Sequence, residues 1–183
     1  AGFEQNFKMT PKQLEDAITP KTRLLILCSP SNPTGSVYSQ EELDALAEVI
    51  KKHERVIVIA DEIYEHINYI GSHASIATVA GMKGRSVVVN GVSKAYAMTG
   101  WRIGFIAAPE WIVKGCNKLQ GQYTSGPCSV SQKAAEAAYT LDQHCVEEMR
   151  QAFERRRDLI VELAKNIPGL EVNKPEGAFY LFP

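Results

Sequence analysis

The sequence predicts an α/β fold in which a mostly parallel β-sheet lies between layers of helices. Three short runs rich in β-branched residues indicate buried strands, because each run is apolar on both faces. A helix with a clear start signal lies between the first two runs, which is the pattern of a right-handed β-α-β unit. The three runs span residues 24–28, 56–60 and 86–90.

The helix between the first two strands begins after Ser39. Ser39 is the predicted N-cap residue, and Glu42, three positions later, completes a capping box. The apolar side chains that follow repeat at helical spacing and predict one face packed on the sheet. They are Leu43, Leu46, Ala47 and Ile50.

The fourth predicted strand, at 102–107, follows the third after a loop too short for a helical crossover. It should therefore pair antiparallel and make the sheet mixed. Two helices are predicted at about 110–123 and 129–141, separated in the sequence by the turn-forming Gly126-Pro127. Both helices should cover the sheet.

The last part of the chain is predicted to leave this core. Apolar spacing over 142–167 fits one long helix, and Pro168-Gly169 ends it. Two short strand-like pieces follow around Pro175. We therefore expect a partial large domain over 1–145, then an interdomain helix and the truncated start of a small α/β domain over 146–183.

The composition is that of an ordinary soluble protein. The 183 residues carry a net charge of −1 with acidic and basic side chains interleaved, which argues against nucleic acid or a membrane surface as a partner. No apolar run approaches the roughly 20 residues of a membrane span. No secretory signal is visible, and the four cysteines form no Cys-x-x-Cys pair. A cytoplasmic protein with reduced thiols is expected.

Polar side chains follow the ends of the three parallel strands. Ligands of open α/β sheets bind beyond these carboxyl ends. An amide, a carboxylate, a phenol, a hydroxyl and an amine at one crevice suit a phosphorylated heteroaromatic aldehyde, and a nearby guanidinium suits its phosphate. The residues are Asn32, Asp61, Tyr64, Ser93, Lys94 and Arg102.

Three segments resemble the class I aminotransferases, in matching order and at matching intervals. They are SNPTG at 31–35, DEIY at 61–64 and SKAYAMTGWRIG at 93–104, and the last matches the lysine-attachment signature of that family throughout. EGAFY at 176–180 resembles the start of its small domain. The resemblance implies the large domain of the fold type I pyridoxal-phosphate enzymes, present in part.

The resemblance also implies a role for each polar residue. Lys94 would form the Schiff base with pyridoxal 5′-phosphate and then act as the general base, which requires a neutral amine. Asp61 would pair with the pyridine nitrogen and keep it protonated, so that the ring accepts electrons. Asn32 and Tyr64 would donate hydrogen bonds to the ring 3-oxygen.

Ser93 and Arg102 would bind the cofactor phosphate. Taken singly, most of these residues also have an ordinary structural explanation: Asn32 as a turn former, Asp61 as an N-cap and Arg102 as a surface charge. The complete signature around Lys94 at the end of a predicted strand favours the cofactor site instead.

The implied activity is transfer of the amino group of an aspartate-like or aromatic amino acid to 2-oxoglutarate, in a homodimer. Two alternatives keep the fold: a carbon-sulfur lyase or synthase that uses the same lysine, and the aminotransferase-like effector domain of a transcription regulator. Members of the family also carry a phosphate cup, a ring stacked on the pyridine and a carboxylate-binding arginine. We do not find these in the sequence, and we expect the isolated chain to be inactive.

The sequence contains two other clusters of charged residues. Glu62 and His66 lie four positions apart, but a third metal ligand is missing, so no metal site is predicted. The basic run 155–157 lies between Glu154 and Asp158, which favours a solvated or interdomain face over a phosphate site.

Overall fold

The computed structural model describes residues 1–183 and contains one four-stranded sheet. The strands lie side by side in the order of the sequence, and the first three are parallel while the fourth is antiparallel to its neighbour. This confirms the predicted mixed sheet, with shifts of one or two residues at strand ends. The strands are β1 (Leu24–Cys28), β2 (Ile57–Asp61), β3 (Ser86–Gly91) and β4 (Gly104–Ala107).

The α-helices agree closely with the predicted ones, apart from an additional short helix near the start of the chain. They are α1 (Pro11–Ala17), α2 (Gln40–Lys51), α3 (Glu110–Tyr123), α4 (Ser129–Thr140) and α5 (His144–Lys165). The short helix α1 lies outside the elements predicted from the sequence, although Thr10 and Gln13 form a capping box at its start. None of the helices combines the length and apolar character that crossing a membrane requires.

The main core lies between α2 and one face of the sheet. The side chain of Ser39 accepts the backbone N–H of Glu42 at 3.2 Å, and the carboxylate of Glu42 accepts that of Ser39 at 2.8 Å. The predicted capping box is therefore present. All four residues of the predicted apolar face are buried against strand residues such as Val58 and Ala60. Each large aliphatic side chain buried in this way stabilises the fold by about 1.5–3 kcal/mol.

The expected cover on the other face of the sheet is incomplete. No residue of α3 is buried, and Ile26 on β1 remains 71% exposed. From α4, the ring of Tyr139 contacts the sheet, and its centroid lies 5.9 Å from that of Phe105 on β4. The apolar stripe of a helix predicts that one face will be buried, but it does not identify the partner that buries it.

The strand-like pieces expected around Pro175 do not form. Residues 168–183, which we call the terminal segment, are irregular and make a single antiparallel bridge between Gly177 and Asn68. The backbone N–H of Tyr69 donates to Glu176 at 2.9 Å, and that of Ala178 donates to Ile67 at 2.8 Å. The two pieces were predicted wrongly because this backbone pairs with the loop after β2. The proposed domain boundary near residue 145 stays a prediction.

Candidate active site

The carboxyl ends of β1, β2 and β3 lie at one edge of the sheet. Cys28, the last residue of β1, is in register with Asp61, the last residue of β2. Asp61 is in turn in register with Val89 near the end of β3. Asn32 follows β1 and Lys94 follows β3, so the parallel pairing brings three of the predicted site residues to the same edge.

Lys94 lies against two aromatic rings. Its Nζ atom is 5.8 Å from the ring centroid of Tyr64 and 5.8 Å from that of Phe179. Both distances are within the range of about 6 Å over which a ring face attracts a cation. The two rings meet edge to face with their centroids 5.4 Å apart. The Lys94 amine thus lies beside the ring of Tyr64.

The hydroxyl of Tyr64 belongs to a hydrogen-bonded group with Tyr180 and Asn32. The two phenolic oxygens are 2.6 Å apart, and Nδ2 of Asn32 donates to the Tyr180 hydroxyl at 3.1 Å. Tyr64 is only 3% exposed. Burial raises the pKa of Tyr64 well above its ordinary value of 10.0. A phenol is protonated at neutral pH even at its ordinary pKa, so Tyr64 can donate a hydrogen bond.

Asp61 holds the turn that follows β2. Its Oδ1 atom accepts the backbone N–H of Ile63 at 3.3 Å, and residues 63–66 form turns instead of a helix. The ordinary explanation of Asp61 as a helix N-cap is therefore wrong. A half-buried carboxylate at this strand end remains suited to binding a protonated ring nitrogen.

Arg102 and Ser93 are not joined to the group around Tyr64. Arg102 is exposed and has a left-handed backbone conformation with φ of 51°. Its guanidinium donates to the carbonyl of Thr99 at 2.9 Å, so it lies back on the turn between 99 and 102. Ser93 is half-buried next to Lys94. Their role in binding phosphate stays a prediction.

The family model of the class I and II aminotransferases matches residues 3–183. The chain belongs to this family. A curated relative, the aspartate aminotransferase of Geobacillus stearothermophilus, is 52% identical over 185 residues, which is 100% of this chain and 47% of the relative. The bifunctional aspartate aminotransferase and glutamate/aspartate-prephenate aminotransferase of Petunia hybrida is 51% identical over 184 residues, 98% of this chain and 38% of the relative.

Among solved structures, the aspartate aminotransferase of Rhizobium meliloti superposes with a TM-score of 0.96 at 44% identity. That match covers 99% of this chain and 46% of the other. The likeness confirms the predicted fold class of this aminotransferase-family chain. The chain spans less than half the length of each of these three proteins.

The contacts of Phe179 and Tyr180 with the site were not predicted, although both lie in the EGAFY motif of this aminotransferase-family chain. The terminal segment reaches the site through a close approach to the loop after β1. The N–H of Gly177 donates to the carbonyl of Gly35 at 2.9 Å, and Gly35 has φ of +70°. Arg157 of α5 holds the same segment by donating to the carbonyl of Pro175 at 2.7 Å.

A second charged group lies beside the site. Glu62 is buried, and its carboxylate accepts the Ser75 hydroxyl at 2.6 Å and lies 3.0 Å from Nε2 of His73. His66, which lies four positions after Glu62 in the sequence, instead contacts Glu65 at 3.3 Å. We interpret this buried polar cluster as one that secures the turn after β2 through the hydrogen bond from Ser75 to Glu62.

Proposed function

We propose that the chain forms the cofactor-binding core of a pyridoxal-phosphate-dependent transaminase, with Lys94 as the residue that attaches the cofactor covalently. The observation that carries the proposal is the position of the Lys94 amine beside the buried phenol of Tyr64, at the carboxyl edge of three parallel strands. Membership of the aminotransferase family supports it.

The donor set of the chain fits this cofactor group by group. The cofactor's aldehyde requires a primary amine, which Lys94 supplies, and its ring nitrogen requires a carboxylate, which Asp61 supplies. The 3-oxygen requires hydrogen-bond donors. Tyr64 can serve as one because a phenol is protonated at neutral pH, and the Asn32 amide can serve as another.

When bound, pyridoxal 5′-phosphate supplies an aldehyde that binds amines reversibly and a ring that accepts electrons. The amine of Lys94 would accept and return a proton at the substrate α-carbon. Asp61 holds a proton at the ring nitrogen, which keeps the ring positively charged. Ser93 and Arg102 bind the phosphate, Ser93 by its hydroxyl and Arg102 by its guanidinium fork.

We propose an aspartate-like or aromatic amino donor and 2-oxoglutarate as the acceptor. The names of the relatives support this choice, since they specify aspartate and, in the plant protein, prephenate. A homodimer is also proposed. Its support is the exposed apolar surface of α3 and α4, because an apolar surface of this kind is typical of an interface. That surface includes Trp111, Leu119, Tyr123 and Val130.

The test is borohydride reduction of the cofactor-loaded protein, expressed from the complete reading frame that encodes this chain. Mass spectrometry of peptides should locate the reduced cofactor on Lys94. The variant Lys94→Ala should lose both the adduct and amino transfer from aspartate to 2-oxoglutarate. Lys114→Ala, which removes an exposed lysine of α3, is the matched control and should retain both.

Two results would contradict the proposal. An adduct on another lysine, or on none, would reject Lys94 as the attachment residue. Release of a 2-oxo acid and ammonia from a thioether amino acid, without transfer to an acceptor, would favour the carbon-sulfur lyase. Screening aspartate, phenylalanine and prephenate in the same assay would identify the substrate.

A further inference from the structure

We propose that Tyr180 is a positioning residue of the cofactor site, which orients the hydrogen-bond donors of Asn32 and Tyr64 toward the cofactor's 3-oxygen. This inference rests on the proposed function, because it assigns a role in binding that cofactor. Tyr180 comes from the terminal segment, 116 positions after Tyr64 in the chain. It is a different residue from those given a role by the resemblance to the family.

The count of hydrogen-bond donors supports this role. Asn32 donates one of its two amide hydrogens to the Tyr180 oxygen. The Tyr180 hydroxyl then has its own hydrogen available, and the Tyr64 oxygen at 2.6 Å is the acceptor within reach. With that bond made, Tyr64 keeps its own hydrogen to donate, and Asn32 keeps its second N–H. The Tyr64 hydroxyl and the second N–H of Asn32 are therefore left as donors for a further acceptor.

The surroundings of Tyr64 make this orientation matter. Its side chain is almost fully buried, so bulk water cannot reorient the hydroxyl freely. The Tyr64 ring is also held edge to face by the rings of Phe179 and Tyr180, at centroid distances of 5.4 and 5.8 Å. The rotation of the O–H bond is the remaining freedom, and the hydrogen bond from Tyr180 restricts it.

Tyr180 is itself held in place by the rest of the terminal segment. Phe179 stacks on Phe153 of α5 at 5.1 Å, and the Tyr69 hydroxyl donates to the carbonyl of Ala178. Arg157 secures Pro175 on the other side of the turn. The Tyr180 hydroxyl can therefore act as a fixed donor, which a freely moving side chain could not do.

The test compares two ligands on the full-length protein: pyridoxal 5′-phosphate and its 3-deoxy analogue, which lacks the 3-oxygen. We expect Tyr180→Phe to weaken binding of pyridoxal 5′-phosphate about 3- to 10-fold, the usual net effect of one hydrogen bond. Binding of the 3-deoxy analogue should change less than about twofold, because the oriented donors have no acceptor there. Absorbance titration of the cofactor-free protein measures both dissociation constants.

Tyr69→Phe is the matched control, since it also removes a phenolic oxygen that holds the terminal segment but lies outside the Asn32–Tyr64 group. We expect it to affect both ligands equally. An equal effect of Tyr180→Phe on both ligands would show a merely structural role and overturn the proposal. So would unchanged binding, and so would tighter binding, which would mean that the Tyr180 hydroxyl competes with the cofactor.

The outcome also separates this inference from the proposed function. If the unmodified protein binds neither ligand, the proposed function fails, and the role given to Tyr180 fails with it. If it binds pyridoxal 5′-phosphate on Lys94 but Tyr180→Phe shows no selective loss, only the present inference is overturned.

Discussion

A β-carbon placed on Gly177 would lie 2.6 Å from the Cβ atom of Pro30, closer than two unbonded carbons can approach. The terminal segment and the loop after β1 therefore meet without room for a side chain. The contact is equally close at Gly35 in the loop, because a β-carbon placed there would lie 2.4 Å from Cβ of Pro175 in the terminal segment. This contact brings Tyr180 to Asn32, so the candidate site depends on it.

Replacement of Gly177 by alanine tests this dependence. We expect Gly177→Ala to lower the free energy of unfolding by about 1–3 kcal/mol, because the added methyl group overpacks the contact. Gly84→Ala is the control, as nothing lies within 4 Å of a β-carbon at Gly84. Denaturant unfolding of both variants measures the difference. Equal stability of the two variants would show that the loop and the terminal segment separate easily.

Arg157 should matter more for stability than the neighbouring arginines of the basic run. The prediction of a solvated or interdomain face fits Arg155, which is exposed, but Arg157 is buried and donates to the carbonyl of Pro175. Removing a hydrogen bond from a charged group costs about 1.5–3 kcal/mol. We expect Arg157→Met to lower the free energy of unfolding by this amount, measured by denaturant unfolding. Arg155→Met should change it by less than about 0.5 kcal/mol. A similar loss in both variants would contradict the structure of α5.

Two substitutions of Asp61 separate its charge from its structural hydrogen bond. Asp61→Asn keeps an oxygen that can accept the N–H of Ile63, whereas Asp61→Ala removes it. Because the charge serves the ring nitrogen, we expect turnover to fall at least about 100-fold in both variants. The stability of the cofactor-free protein should fall only in Asp61→Ala. If Asp61→Asn retains normal turnover, the carboxylate has a structural role only.

The contact between His66 and Glu65 predicts a pH dependence of stability. The hydrogen bond and the charge of Glu65 raise the pKa of His66 above its ordinary value of 6.5. Burial alone would raise the pKa of Glu65, but the hydrogen bond and charge of His66 outweigh burial and lower it. A histidine whose pKa is raised on folding stabilises the folded state fully below its unfolded pKa. That stabilisation is lost as the pH rises through the folded pKa.

The corresponding measurement is the difference in unfolding free energy between the unmodified protein and His66→Asn. We expect the unmodified protein to have its larger advantage at about pH 5.5 and a smaller one at about pH 8.5. The advantage should stay below about 1 kcal/mol, because the His66 side chain is 40% exposed and solvent screens the pair. An advantage that grows with pH would contradict the assigned contact.

Local patterns in the sequence were sufficient for most of the fold. The capping box at Ser39, the apolar face of α2 and the β-branched runs each lie within a short stretch of chain, and all were confirmed. Because parallel strands place their carboxyl ends at one edge, the sequence also determined that Asn32, Asp61 and Lys94 would share that edge.

Only the tertiary structure decided which side chains complete the site. The approach of Tyr180 to Tyr64 joins residues 116 positions apart, and no local periodicity encodes such a contact. The burial of Arg157 and the exposure of Ile26 on the sheet likewise depend on contacts between distant segments, which local periodicity does not encode. Periodicity indicates that a face will be buried, but the partner depends on how distant segments pack together.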